Sequence, residues 1–241
     1  MLQGKNVLIF GGDAFLINAM LPTFLKSEGT FTWMNADKVL NESNSTVPTI
    51  AINSIFSVNS YESFLSNIGK ELKAFDGVVF ALSTGSLRPL KMTKPEHLSL
   101  SFEVNCMAFV ELIRVLNKYK LLNAGSSLIA YSSISSLMGL KTKLAYAASK
   151  SALNSAILNL ATELSTNKIR VNGILKGALT TDINHEHVKN MFKVSNDSSG
   201  KQDLGMSTPE ELANLSIFLL SDQVKTMTGT LIKLDGGYSL N

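Results

Sequence analysis

The chain has 241 residues, of which 45% are hydrophobic and 17% charged, a composition that suits one well-filled core and excludes a mainly disordered chain. Its 22 basic and 19 acidic side chains leave a net charge of +3, which is too small to indicate a nucleic acid or a membrane surface as the main partner. No apolar run reaches the roughly 18 residues of a membrane-spanning helix, and the N-terminal apolar stretch is too short for a signal peptide. Cys106 is the only cysteine, so no internal disulfide forms. We expect one domain over residues 1–241, located in the cytoplasm, with no nucleic-acid or membrane partner.

Short continuous apolar runs recur along the chain, and such runs are typical of strands buried on both faces of a parallel sheet. Helix-like stretches of ten or more residues alternate with them, which indicates βαβ units. The pattern predicts an α/β fold of the Rossmann type, doubly wound, with a mainly parallel seven-stranded sheet and helices on both faces. The predicted strands cover residues 5–10, 31–34, 49–56, 77–82, 127–131, 170–175 and 230–234. The predicted helices cover residues 18–28, 60–73, 95–120, 143–165 and 209–220.

The strongest chemical signal is the pair Tyr146 and Lys150, with Ser133 upstream. Residues four apart on a helix share a face, so the phenol and the ammonium point the same way. A free phenol has a pKa near 10, and a nearby ammonium favours the phenolate. Ser133 follows the predicted strand 127–131, which places its hydroxyl at the carboxyl edge of the sheet. Ligands bind at that edge in open α/β folds.

These residues, in this order, resemble the short-chain dehydrogenase/reductase family, and the resemblance covers essentially the whole chain. It extends to segment 169–173, to Gly177 and to the ending 234–238. The resemblance implies that Tyr146 exchanges a proton with a carbonyl or alcohol substrate, while Ser133 orients the substrate oxygen. It further implies that Lys150 binds the nicotinamide ribose and that Asn105 holds a proton-relaying water.

The same resemblance implies a cofactor site for NADP or NAD. The family's first turn has glycines at the two places where this chain has Phe15 and Ile17. We therefore expect a longer, re-routed loop over 11–18 and a late helix start, with Asn18 as N-cap and Pro22 at the fourth helical position. The expected cofactor-binding residues are Gly11, Asp13, Leu16, Asn35, Ser57, Ala81, Tyr146, Lys150, Gly177 and Thr181.

Other cofactor positions also depart from the family pattern. Ser57 stands where an aspartate usually meets adenine, and residues 80–83 replace the usual Asn-Asn-Ala-Gly. Lys176 replaces the proline before Gly177, and two interpretations stay open for it: a pyrophosphate ligand or a solvated loop lysine. Acidic and basic residues both follow the predicted second strand, so the choice between NAD and NADP is undecided.

Three further segments bear on metal binding, substrate binding and assembly. The run 185–187 (His-Glu-His) lacks a further ligand nearby, so we predict no metal site. Residues 184–205 are polar and are predicted to cover the substrate, which favours a polar substrate such as a sugar or a hydroxy acid. The helix 143–165 leaves apolar surface beyond its catalytic face. Together with the resemblance to tetrameric relatives, this surface predicts a homo-oligomer, a dimer or a tetramer.

The leading prediction is an enzyme, a nicotinamide-dependent oxidoreductase that transfers hydride to or from a small carbonyl or alcohol substrate. Two alternatives stay open. The altered glycine loop would suit a reductase-like scaffold that binds a ligand with little or no turnover. An enoyl reductase is the third possibility, since enoyl reductases of the same superfamily also replace the later glycines. Their tyrosine and lysine are, however, further apart than Tyr146 and Lys150.

Overall fold

A seven-stranded parallel sheet organises the chain in the computed structural model, which describes residues 1–35, 49–51, 61–68, 72–85, 87–181 and 202–240. The strand order is β3-β2-β1-β4-β5-β6-β7, and every pair of neighbours runs parallel. The order reverses between β1 and β4, and this crevice is where such sheets bind ligands. The strands are β1 (Asn6–Phe10), β2 (Thr30–Asn35), β3 (Thr49–Ala51), β4 (Phe75–Phe80), β5 (Leu122–Ser133), β6 (Arg170–Lys176) and β7 (Leu231–Leu234).

Helices cover both faces of the sheet and divide the core into two clusters. One cluster packs helices α4 and α5 on the sheet through residues such as Leu112 and Leu153. The other packs helices α1 and α6 on the opposite face through residues such as Met20 and Leu212. The helices are α1 (Ala14–Lys26), α2 (Tyr61–Ile68), α3 (Pro95–Phe102), α4 (Ala108–Lys118), α5 (Leu144–Leu164) and α6 (Pro209–Leu220).

The predicted doubly wound, parallel fold of seven strands is confirmed. Two local differences concern strand and helix ends. Strand β5 continues to Ser133, so the serine is its last residue instead of following it. A π-helical turn, Glu103–Met107, separates α3 from α4 within the single helix predicted over 95–120.

The prediction of a late first helix is wrong. Helix α1 begins at Ala14, because the Asp13 carboxylate accepts a hydrogen bond from the backbone N–H of Leu16 at 2.9 Å and caps the helix there. Asn18 is therefore inside the helix and not its N-cap. Pro22 also lies inside α1, where its missing N–H leaves one gap in the hydrogen-bond ladder.

Several predicted features fall outside the described residues. These include most of strand 49–56, Ser57, the run 185–187 and nearly all of the loop predicted over 184–205. None of the described helices is long and apolar enough to cross a membrane. Among the same residues, no group of three or more potential ligands could hold a metal ion.

Candidate active site

The ends of β5 and β6 meet the start of α5 at the carboxyl edge of the sheet. Ser133 ends β5 and is buried, and its Oγ accepts a hydrogen bond from the N–H of Ser135 at 3.1 Å. The preceding residue joins the strand to α5, because the Ser132 hydroxyl donates to Asn154 Oδ1 at 2.6 Å. Ser151 adds a bond from α5 to the carbonyl of Ser136 at 2.8 Å. These contacts fix the end of β5 against the helix that carries Tyr146 and Lys150.

Tyr146 and Lys150 lie one turn apart on α5, as predicted from their spacing. The Lys150 Nζ is 5.9 Å from the centre of the Tyr146 ring, close enough for a cation–π attraction. The tyrosine is partly exposed, whereas the lysine is buried. A buried ammonium therefore stands behind an accessible phenol.

The Lys150 ammonium is almost completely removed from water. Burial, and to a lesser extent the charge of Lys176, lowers the pKa of Lys150 from its ordinary 10.5 to about 7. Nζ donates one hydrogen bond, to the Tyr131 carbonyl at 2.8 Å. An ammonium has three donors, and in the described part of the chain the other two have no partner. They are available to hydroxyl groups of a ligand.

Asn105 connects α5 to the loop that follows β4. Its Oδ1 accepts from the N–H of Thr84 at 2.8 Å, and its Nδ2 donates to the Thr84 carbonyl at 2.8 Å and to Ser149 Oγ at 2.9 Å. Both hydrogens of the buried amide are thus engaged within the protein. The observed contacts are those of a positioning residue, whereas the predicted contact with a relaying water stays a prediction. The π-helical turn brings Asn105 to this place.

Gly85, the next residue of that loop, packs against the Tyr146 ring. A Cβ built on Gly85 would lie 2.8 Å from Tyr146 Cδ2, closer than Cβ atoms approach other atoms in real structures, and 3.3 Å from Cγ. The loop and the ring therefore touch because position 85 has no side chain. The sequence did not predict this role for Gly85, because a glycine five residues after a strand gives no indication of which distant residue it contacts.

The turn after β1 contains two glycines with left-handed backbone, Gly11 at φ 75° and Gly12 at φ 86°. Only glycine adopts such angles without strain. The Gly11 carbonyl accepts a hydrogen bond from the buried Trp33 indole N–H at 2.9 Å, so β2 holds the turn in place. The sequence did not predict this role for Trp33. Its position on the strand next to β1 was the one signal that could have indicated the contact.

The two side chains that replace glycines near this turn, Phe15 and Ile17, point in different directions. Phe15 points outward and is 65% exposed, while Ile17 is buried and its Cδ1 would lie 2.7 Å from a Cβ on Gly12. Two of the predicted cofactor residues, Leu16 and Ala81, are buried in the core beside the turn. The Asp13 carboxylate caps the first turn of α1 and is exposed there.

The turn after β6 also lies at the carboxyl edge of the sheet. Gly177 donates its N–H to the Leu234 carbonyl at 2.8 Å, and a Cβ at this position would lie 2.9 Å from Asp235 Cα. Thr181 is partly exposed further along the same segment. Asn35 ends β2. The structure thus brings the turn after β1, the ends of β5 and β6 and the start of α5 to the same edge of one sheet, whereas Ser57 lies outside the described residues.

The residues at this edge fit a nicotinamide cofactor. The two spare donors of Lys150 suit ribose hydroxyls, and the turn after β1 stands at the strand-order reversal where a dinucleotide crosses a doubly wound sheet. A doubly wound domain with a Ser–Tyr–Lys set at this edge defines a class of dinucleotide-dependent enzymes.

Comparison with known proteins agrees with this class. The model of a family described as "Enoyl-(Acyl carrier protein) reductase" matches residues 32–239. The chain is 24% identical to an NADH-dependent enoyl-[acyl-carrier-protein] reductase of Buchnera aphidicola subsp. Schizaphis graminum, over 100% of this chain and 97% of that protein. It is 36% identical to an L-rhamnose 1-dehydrogenase (NAD(P)(+)) of Azotobacter vinelandii, over 48% of this chain and 46% of that protein.

A solved structure shows the same fold. It is a short chain dehydrogenase family protein from Francisella tularensis subsp. tularensis, with 24% identity, 98% of this chain and 99% of that chain covered, and a TM-score of 0.84. The chain belongs to the short-chain dehydrogenase/reductase family. It is an oxidoreductase that works with NAD or NADP as its cofactor.

Proposed function

We propose that this protein interconverts a carbonyl compound and its alcohol. The observation that carries the proposal is the arrangement on α5: Lys150 Nζ lies 5.9 Å from the Tyr146 ring, next to the strand end that carries Ser133. The phenol is accessible and can exchange a proton with a substrate oxygen, and the buried ammonium favours the phenolate. The Ser133 hydroxyl is placed to orient that oxygen.

The residues divide the work between proton transfer and binding. Bound NAD or NADP supplies or accepts the hydride at the reacting carbon. Tyr146 donates the proton to a carbonyl oxygen or removes it from an alcohol, and Lys150 holds ribose hydroxyls with its two spare donors. Asn105 acts through Thr84 and the loop after β4, as a positioning residue.

A replacement of the phenol tests the proposal. We expect Tyr146→Phe to lower the rate of hydride transfer on a panel of ketones and alcohols by about 10³-fold or more, because general acid–base catalysis contributes on that order. Cofactor binding, followed by the fluorescence of NADPH or NADH, should persist. Tyr119→Phe is the matched control, since Tyr119 lies at the end of α4 with its hydroxyl near Glu62. Equal rates for Tyr146→Phe and the unmodified protein would contradict the mechanism.

An enoyl reductase is the second candidate, favoured by the description of the matching family and by the Buchnera relatives. The spacing of four residues between Tyr146 and Lys150 speaks against it, since enoyl reductases have a longer spacing. A conjugated acyl thioester discriminates the two. Loss of its double bond at rates above those on ketones would establish the second candidate. A lack of saturable cofactor binding up to millimolar concentration would instead indicate the non-catalytic scaffold.

The proposal also includes assembly, location and domain organisation. A homo-oligomer is supported by exposed apolar side chains along α4 and α5, and sedimentation velocity measures it; the side chains are Val110, Leu144 and Leu158. A cytoplasmic location, one domain over 1–241 and a substrate-covering loop over 184–205 remain proposals from the sequence.

A further inference from the structure

Lys176 places a second ammonium at the carboxyl edge of the sheet, which we call the catalytic edge because it carries Ser133, Tyr146 and Lys150. It is the last residue of β6, and in the parallel ladder its register partner on β5 is Ser133. Register partners on neighbouring strands lie about 4.8 Å apart and direct their side chains to the same face of the sheet. Lys176 therefore stands directly beside the serine that orients the substrate oxygen.

Within the described residues, no acidic side chain forms an ion pair with Lys176. The side chain is partly buried, and its ammonium has no hydrogen-bond or ion-pair partner within the described ranges. Its register partner on β7 is Leu234, and the carboxylate that follows, Asp235, already accepts from the N–H groups of Gly237 at 3.2 Å and Ser239 at 2.9 Å. A partly buried, unpaired ammonium is unfavourable by itself and becomes favourable when an anion binds to it.

Lys176 also adds a second positive charge to the site, which already contains Lys150. Its charge disfavours protonation of Lys150, so the two ammoniums act on each other across the end of β5. An anionic ligand between them would relieve this repulsion. Two sources of such an anion are possible at this edge, the substrate itself and the diphosphate of the cofactor.

We infer that the substrate carries a carboxylate close to its reacting carbon and that Lys176 binds this carboxylate while Ser133 orients the carbonyl oxygen. The inference rests on the proposed carbonyl–alcohol activity and narrows its substrate to an oxo acid and the matching hydroxy acid. The distance between neighbouring strands suits a carboxylate one or two bonds from the carbonyl carbon. In the oxidative direction the hydroxy acid loses its hydroxyl proton to Tyr146 and a hydride to oxidised NAD or NADP, which leaves the oxo acid.

The test compares acids with their methyl esters, which keep the carbonyl and lose the charge. Matched pairs of 2-oxo and 3-oxo compounds are offered to the unmodified protein, to Lys176→Gln and to Lys176→Arg. We expect the unmodified protein to prefer the acid, and Lys176→Gln to lower kcat/KM for the acid by about 10–100-fold, since bonds to charged groups have about that worth. The ratio of kcat/KM for the acid to kcat/KM for its ester should therefore fall in Lys176→Gln, and Lys176→Arg should keep most of the preference. Lys233→Gln, an exposed lysine on β7, is the control for the loss of one charge.

Cofactor affinity, measured by NADPH and NADH fluorescence, distinguishes the two sources of the anion. An unchanged Kd in Lys176→Gln together with a lost acid preference supports the inference. A weaker Kd with an unchanged preference would overturn it and assign Lys176 to the diphosphate. Turnover of neutral ketones with no preference for acids would overturn the inference and leave the proposed function standing, whereas no turnover of any carbonyl compound would remove both.

Discussion

The two halves of the catalytic edge are built differently. At the end of β5 and the start of α5, the predicted family residues are present and are tied together by side-chain hydrogen bonds, such as Ser132 to Asn154 and Asn105 to Ser149. At the turn after β1, Phe15 and Ile17 replace two of the usual glycines, and the Trp33 bond to Gly11 and the Asp13 cap hold the backbone. The residue types of the predicted catalytic set are thus all present, while the turn after β1 differs from the family pattern in sequence.

The difference follows from what each half must supply. Proton transfer needs particular groups, a phenol, an ammonium and a hydroxyl, and no other side chains replace them. A nucleotide turn needs mainly a backbone path and a helix N-terminus. Here two left-handed glycines and an N-capping carboxylate produce that path, and Phe15 is accommodated because it points outward. We expect substitutions in the first half to change turnover strongly and substitutions in the second half to change cofactor affinity modestly.

The largest effect should come from Lys150→Met, which removes the buried ammonium. We expect turnover to fall by about 10²–10⁴-fold, because the proton-transferring phenol loses its neighbouring charge. The same variant should be more stable at pH 6 by about 1–3 kcal/mol, since an apolar group replaces a charge that is costly to bury.

The stability that Lys150→Met gains should depend on pH, and the direction of this dependence follows from the lowered pKa of Lys150. The folded protein releases the Lys150 proton near pH 7, whereas the unfolded chain keeps it up to about its ordinary 10.5. The unfolded chain therefore binds more protons between these values, and the stability of the unmodified protein rises with pH across that interval. The advantage of Lys150→Met should shrink from pH 6 to pH 9 in urea unfolding. An advantage that stays constant over this range would show that Lys150 is not desolvated as the structure indicates.

A smaller effect is expected from Gly85→Ala, which tests how the loop after β4 positions the phenol. The added Cβ would lie 2.8 Å from Tyr146 Cδ2, so the ring has to shift. Because the Asn105 bonds hold the neighbouring Thr84 at both its N–H and its carbonyl, the loop resists moving in place of the ring. We expect kcat to fall by about 10–100-fold with little change in cofactor Kd, since displacements near 1 Å have costs of that size.

Gly139→Ala is the matched control for this variant. Gly139 lies in the loop before α5, and a Cβ there meets no atom within 4 Å. It should keep both kcat and KM. If Gly85→Ala raised KM and left kcat unchanged, position 85 would contact the substrate instead of positioning Tyr146.

The sequence was sufficient to predict the fold and to place Ser133, Tyr146 and Lys150 at one edge of the sheet, but not to predict the contacts that position them. Short apolar runs are formed by residues adjacent in sequence, so the seven strands could be predicted from the sequence. The predicted start of α1 is wrong because Asp13 and Asn18 are both favourable N-cap residue types, and the sequence does not show which of them accepts the capping bond. Trp33 and Gly85 contact residues that are distant in the chain, and no local pattern reveals such partners.

The smallest effect should come from Asp13→Asn, which asks whether the carboxylate binds the cofactor or only caps α1. Asparagine caps helices as well as aspartate, so the bond to the Leu16 N–H should persist. If the carboxylate only caps, removal of its negative charge from the N-terminus of α1, where a bound diphosphate would lie, should tighten NADPH binding by about 2–5-fold. The gain should diminish at high salt, because exposed charges are screened there. Glu210→Gln, in the first turn of α6, removes an exposed acid from a comparable place and should leave the Kd unchanged. A weaker Kd for Asp13→Asn would instead make Asp13 a direct cofactor ligand, and the nucleotide turn would then also depend on a particular chemical group.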